Sequence, residues 1–292
     1  MLIYVYVFYK QERNLEAEMK KVFSILLIMM LIFALFTGCS SKVNQEQPSD
    51  NNTSQTPKEE DKDEDNKLVM YTNAEFAPFE YFEGEKVVGV DADIAQEIAK
   101  DLGKEVVIEH IDFDSLIPAL VTGKADFVAA GMTITPEREE EVDFSIPYVE
   151  SVQNIISKKD AEIKTMEELK GKKIGVQLGT TGDLAVTDAI NLDDGALYNS
   201  GAEIKTYANA LEAAQDLMTG RIDAVVIDKL PAEEIVKNNI DNLVTVKFGE
   251  ISEAYGIAVE QGNTELLESI NKTLQRLLDE GKIEEFISNH SN

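Results

Sequence analysis

Two stretches of this chain share one local pattern: "LVTGKADFVAAG", beginning at Leu120, and "LMTGRIDAVVID", beginning at Leu217. In each, the end of a helical pattern meets a glycine stop, and a short apolar run of strand length follows. The rest of the chain has the same alternation. "KLVMYTN" reads as a strand. "DADIAQEIAKDLG" sets Ile94, Ala95, Ile98, Ala99 and Leu102 on one helical face, with Gly103 as its stop. "EVVIEHI" is the next strand, "DSLIPALVTG" a short helix closed by Gly123, and "ADFVAA" another strand. "PEREEEVDF" and "TMEELKG" read as capped helices, with the strand "KKIGVQL" and the helix "GDLAVTDAI" after them. Beyond the second echo come "PAEEIVKNN", "LVTVKF", "YGIAV" and one long final helix. Such alternation predicts an α/β protein built around mixed, mostly parallel sheets. The echo predicts two similar lobes, each with its own sheet. Open α/β sheets bind ligands beyond the carboxyl ends of their strands, so a cleft should lie where the two sheets face each other.

Charge and composition remove several functions. With 27 basic and 55 acidic residues the formal net charge is −28, and no nucleic-acid partner is expected, because phosphate binding needs a basic surface. One cysteine cannot form a disulfide within the chain, and with only two histidines a Cys/His metal site is not expected. His-assisted nucleophilic catalysis is poorly supplied too: His110 sits in a strand-like run and His290 among the last three residues. No motif asks for a cofactor.

The N-terminal region reads as a targeting device. "MKKVFSILLIMMLIFALFTGCSS" places Lys20 and Lys21 before an apolar run from Val22 to Phe36, then Thr-Gly-Cys. This is a charged segment, a hydrophobic segment and a small-residue cleavage site. It resembles a lipoprotein signal peptide over 19–38, with Cys39 as the lipid attachment residue; a short membrane anchor is the alternative. Residues 1–18 are read as an over-extended start, with Met19 as the true one. Residues 39–66, rich in Ser, Asn, Gln, Asp and Glu, are too polar to pack and should form a disordered tether.

Three strand ends carry unusual chemistry. After "ADFVAA" come Gly131 and Thr133. Thr135 then suits a capping position and Pro136 the first helical turn, with Arg138 in that turn. Its planar fork matches a carboxylate, although it could simply pair with Glu141. "QLGTTGDL" offers Thr180 and Thr181 between Gly179 and Gly182, without the Gly-Lys-Ser/Thr of a phosphate loop. Asp228 ends "IDAVVID" and needs a cationic or N–H partner, either a ligand ammonium or Lys229. One carboxylate receptor and one ammonium receptor are what a free α-amino acid requires.

On "NAEFAPFEY", "VGVDADIAQEIAKDLG", "FDSLIPALVTGKADFVAAGMTITPEREEEVDFSIPY", "MEELKGKKIGVQLGTTGD" and "GRIDAVVID", residues 67–288 resemble the polar amino-acid-binding proteins of ABC importers, an extracytoplasmic solute-binding family. The resemblance implies a two-lobed periplasmic-binding-protein-like (type II) fold with a two-crossing hinge. Lobe 1 would hold 67–150 and 249–292, and lobe 2 would hold 151–248. It implies Arg138 as carboxylate receptor, with Thr133 and Gly131 beside it and Thr181 from the second lobe. Asp228 would take the α-ammonium, and Phe76 and Phe113 would wall the side chain or else be ordinary core. Asn73 stands where an aspartate is frequent, and Gln177 where the distal end of a side chain can be reached. Turn and strand-end roles satisfied by backbone are the alternative for both.

The expected partners are therefore a free amino acid, the permease subunits of an ABC importer and the membrane through Cys39, for a monomeric protein outside the cytoplasm. A basic amino acid, arginine or lysine, is preferred over glutamine or another neutral polar one, with Glu75 as counter-charge. The rival class is a dehydratase on the same fold. It would need a general acid of raised pKa, and Glu75 is the candidate. A receptor module is the third reading.

Overall fold

The computed structural model describes residues 66–291. The expected over-extended start, signal segment, Cys39 and tether (through 65) lie outside the described residues. Within 66–291 the helices and strands alternate as the pattern requires, and they form two five-stranded sheets and one small one.

In the first sheet, β1 (Lys67–Thr72) runs parallel between β5 (Glu105–His110) and β6 (Phe127–Val128). Antiparallel β13 (Ala258–Glu260) and β7 (Val142–Phe144) complete it. In the second, β9 (Lys173–Gln177) runs parallel between β10 (Glu203–Tyr207) and β11 (Ala224–Asp228). Antiparallel β8 (Val149–Lys158) and β12 (Leu243–Tyr255) follow. β2 (Glu75–Phe76), β3 (Glu80–Glu83) and β4 (Lys86–Val88) form the small antiparallel sheet.

The echo holds down to individual bonds. Gly123 and Gly220 both take positive φ, 70° and 76°, and donate their N–H to Leu120 and Leu217 carbonyls. Asp126 then accepts from Val69 N at the start of β1, and Asp223 accepts from Lys173 N at the start of β9. Each aspartate pins the strand that runs between two parallel neighbours in its own sheet. The two apolar runs consequently end at equivalent places, Gly131 in one and Asp228 in the other.

Helix α1 (Val90–Leu102) buries Ile94, Ala95, Ile98 and Ala99 as its spacing requires, and Gly103 closes it in the left-handed conformation. Full burial of each isoleucine contributes about 1.5–3 kcal/mol. Its cap, Gly89 (φ 130°), lies against the Phe79 carbonyl, where any Cβ would collide. Two antiparallel strands join the sheets. β8 leaves the first sheet's side at Val149 and enters the second, and β12 returns. Their register is interrupted between Lys247 and Ser252, which separates the segment paired within the second sheet from the segment leading back to the first.

Three expected helices come out differently. "PEREEEVDF" yields one turn, α3 (Pro136–Glu139), after α2 (Leu116–Val121), because Val142 and Phe144 pair with β13 instead. "TMEELKG" yields a 3-10 turn, Met166–Leu169. The final helix divides at Gly281 (φ 67°) into Thr264–Asp279 and Lys282–His290. Among the described residues no helix is long and apolar enough to cross a membrane.

Candidate functional site

The ends of β1, β6, β9 and β11 meet in one narrow cavity. Asn73 and Phe76 come from the segment after β1; Gly131, Thr133 and Arg138 follow β6; Gln177 ends β9, with Thr180 and Thr181 after it; and Asp228 ends β11. Phe113, Glu80 and Ala130 complete the wall. The cavity has a volume of only about 10 Å³. The walls are that close together, so an amino acid enters only if they part.

Nine of the ten residues singled out from sequence line this cavity. Glu75 does not. It borders a separate depression with Ala74, Tyr81, Phe82 and Pro231, because residues on a short strand alternate sides and Phe76 takes the inward one. The counter-charge expected of Glu75 therefore cannot come from that residue in this arrangement.

Arg138 is buried. Thr135 caps its turn by accepting from Arg138 N at 3.3 Å. The guanidinium donates through Nη1 to the Thr133 carbonyl (2.6 Å) and through Nη2 to the Gly179 carbonyl (3.1 Å). It also sits 5.4 Å from the centroid of the Phe113 ring. One residue thus touches both strand-end clusters, and Glu141 meets it through the backbone, its N–H donating to the Arg138 carbonyl at 3.0 Å, with no ion pair between the side chains. Burial lowers the guanidinium pKa, and the charges of Glu253, Asp228 and Glu137 oppose this. Gly131 takes φ 50°, and a Cβ there would lie 2.7 Å from Phe76 Cε1. Only glycine lets that aromatic wall stand so near the backbone.

Asp228 is also buried, and its partner is Tyr255, whose hydroxyl donates at 2.6 Å. Lys229 instead lies exposed, 3.9 Å from Glu233. Burial, and next the charge of Glu253, push the Asp228 carboxyl up to about 7, against hydrogen bonds from Tyr255, Gln153 and Ser151. Gln177 donates to Asn73 Oδ1 (2.9 Å), and Asn73 donates to the Ile111 carbonyl. Those two amides are satisfied within the protein, by each other and by backbone. Thr181 opens helix α4 (Thr181–Asn191), capped by Thr180.

Three acids near the cavity carried no sequence signal. Glu80 is wholly buried, lines the cavity, and when ionised has no hydrogen-bond partner on either oxygen. Burial, then the charge of Asp91, raise its pKa well above the usual carboxylate range; protonated, it donates to Asp91. Asp91 accepts from Gly131 N and Tyr148 Oη, both at 2.8 Å. Its pKa is raised to about 6 by burial, against those bonds. Glu253 accepts from the Thr133 and Thr181 hydroxyls, two of the three threonines of the cavity. Among the described residues no cluster of His, Cys, Asp and Glu could hold a metal ion.

Comparison with known proteins identifies the family and the fold. The family model of bacterial extracellular solute-binding proteins, family 3, matches residues 68–291. The arginine-binding extracellular protein ArtP of Bacillus subtilis (strain 168) is 35% identical over 267 residues, 91% of this chain and 96% of ArtP. Solved structures of an ancestral arginine-binding protein bound to arginine and bound to glutamine are 43% and 44% identical, with TM-scores of 0.71 and 0.70. They cover 77% of this chain and 98% and 97% of theirs. The ancestral amino-acid-binding protein AncCDT-1, a precursor of cyclohexadienyl dehydratase, is 35% identical with a TM-score of 0.70, over 78% of this chain and 97% of its own.

Proposed function

Because this chain belongs to the bacterial extracellular solute-binding proteins, family 3, we propose that it closes its two lobes on one free basic amino acid, arginine or lysine, and delivers it to an ABC permease. Glu80 carries the choice of ligand. Arg138 is the cation of the cavity wall, while Glu80 and Asp228 are its acids, so the fully ionised wall holds one negative charge in excess. A zwitterion adds one charge of each sign, and a basic side chain supplies the missing positive one. A buried ionised carboxylate without partners is costly, and a guanidinium or ammonium group beside Glu80 removes that cost.

In this reading Arg138 receives the α-carboxylate and Asp228 the α-ammonium. Thr133, Gly131 and Thr181 surround them, and Phe76 and Phe113 flank the side chain, where each ring face offers a cation about 0.5–2 kcal/mol. Asn73 and Gln177 close the cavity over it. The second reading is a neutral polar amino acid such as glutamine. It is favoured by the raised pKa of Glu80, since a protonated Glu80 can pair with a side-chain amide. No turnover is proposed: an acid at the ammonium position suits an amine-bearing ligand and not an amine-free dehydratase substrate.

The lobes comprise 67–150 with 249–292, and 151–248, with β8 and β12 as the two crossings. Hinge closure of this kind encloses the ligand. Cleavage of the signal segment 19–38 would leave Cys39 for lipid attachment, and the tether 39–66 would hold a monomer at the outer face of the cell membrane. Small-angle scattering with and without amino acids tests the closing step: compaction with a basic amino acid is expected, and no compaction with any amino acid contradicts it.

A further inference from the structure

Glu253, on β12, is the point where three donors from three different elements converge. Its Oε2 accepts from Thr133 Oγ1 at 3.0 Å, Thr181 Oγ1 at 2.9 Å and Gln153 Nε2 at 3.1 Å. Gln153 Nε2 also reaches Thr181 Oγ1 at 3.3 Å. Glu253 does not itself line the cavity, whereas both threonines do.

The hydrogen-bond inventory gives this arrangement a consequence. A hydroxyl has one proton and two lone pairs, and an ionised carboxylate can only accept. Both threonine protons therefore point at Glu253, and what the hydroxyls turn toward the ligand is lone pairs. Thr181 already receives one donor from Gln153, which leaves Thr133 as the more open acceptor. An acceptor suits an ammonium group and repels a carboxylate oxygen. The ligand carboxylate is left to Arg138 and to backbone N–H groups, while the hydroxyl layer joins Asp228 in facing the amine.

We infer that Glu253 is a positioning residue that fixes the Thr133 and Thr181 hydroxyls as acceptors, and so makes the site demand an α-amine beside the carboxylate. Amine-free acids of the same shape are rejected because they would set a carboxylate and no donor against those lone pairs. Replacing Glu253 by glutamine frees the hydroxyls: the new amide can donate to them, and their protons can turn into the cavity.

This inference rests on the amino-acid-binding reading, and one set of titrations separates the two. Calorimetry on the purified protein would compare L-arginine with its amine-free analogue, guanidinovaleric acid. Wild type should favour arginine strongly. In Glu253→Gln that preference should shrink by about tenfold or more, the size of a hydrogen bond to a charged group, with arginine weakened and the analogue unchanged or improved. A merely structural tie would weaken both ligands alike and leave the ratio unchanged, which overturns the inference. Thr133→Val supplies a second arm if Glu253→Gln does not fold. It should weaken arginine and spare the analogue, whereas an equal loss on both means that the hydroxyl serves the carboxylate and contradicts the proposal. Wild type that binds neither arginine nor any other free amino acid overturns the parent reading as well. If wild type binds glutamine alone, glutamine and glutaramic acid replace the pair, with the same ratios deciding.

Discussion

The side-chain amide of Gln177 donates to Asn73 Oδ1 across 2.9 Å, and both residues are buried. Asn73 follows β1 of one sheet and Gln177 ends β9 of the other, so this bond forms only when the two strand ends come together. In the proposed closing motion its free energy would belong to the closed state. Gln177→Ala or Asn73→Ala should each weaken ligand binding by about 1–3 kcal/mol, the cost of leaving a buried polar partner unpaired. The double mutant should lose less than the sum. Titration of the four proteins checks this; strictly additive losses would mean that the two amides act independently.

Arg138→Ala and Asp228→Ala should each abolish tight binding while the protein stays folded. Each change leaves a ligand charge buried and unpaired, a loss on the order of 3–5 kcal/mol. Arg138→Lys should rescue little, because the guanidinium already donates to the Thr133 and Gly179 carbonyls and a point charge cannot reproduce a fork. Circular dichroism with titration separates misfolding from lost recognition. Binding retained within a few-fold removes that residue from the site.

Three acids set the pH dependence. Asp91 is raised to about 6, Asp228 to about 7, and Glu80 well above its usual range, in each case chiefly by burial. Their folded-state pKa values exceed the unfolded ones, so the native state binds more protons in the window between. Stability of the ligand-free protein from these groups should fall as pH rises from about 4 to about 7. A cation bound in the cavity should lower the pKa values of Glu80 and Asp228, the two acids that line it. Arginine binding should release protons, and its affinity should rise over that window. Calorimetry in two buffers of different ionisation enthalpy measures the release; proton uptake would contradict the assignment.

Glu80→Gln should move the preference away from arginine and toward glutamine. The amide cannot ionise and can still donate to Asp91, so the folded protein should be at least as stable, while the positive side chain loses its counter-charge. Thermal shifts with each amino acid read both effects. An undiminished response to arginine would show that Glu80 plays no part in choosing the ligand.

Much of this architecture is legible from local rules. The paired stretches beginning at Leu120 and Leu217 specify helix stop, strand and equivalent chain ends, and the structure adds that Asp126 and Asp223 pin the neighbouring strands. The α1 face and the strand ends bearing Arg138 and Asp228 follow from periodicity and capping. The acids are another matter. Glu80 is one residue of a four-residue strand, and its neighbours Asp91, on the following helix, and Asp228, on a strand of the other sheet, meet it only in the fold. Nothing near it in sequence distinguishes it from the exposed Glu83. Glu253 gains its meaning from Thr133, Gln153 and Thr181, at least 72 residues away. Tertiary pairing also overrode local preference at Val142 and Phe144, drawn into the first sheet where a helical pattern would have continued.

The most direct test is a calorimetric titration of the purified protein with each of the twenty amino acids. The predicted result is saturable one-to-one binding of arginine or lysine, tighter than any neutral amino acid and accompanied by proton release. Tight glutamine binding with no response to arginine or lysine would contradict the basic-ligand assignment, and silence toward all twenty would contradict the account as a whole.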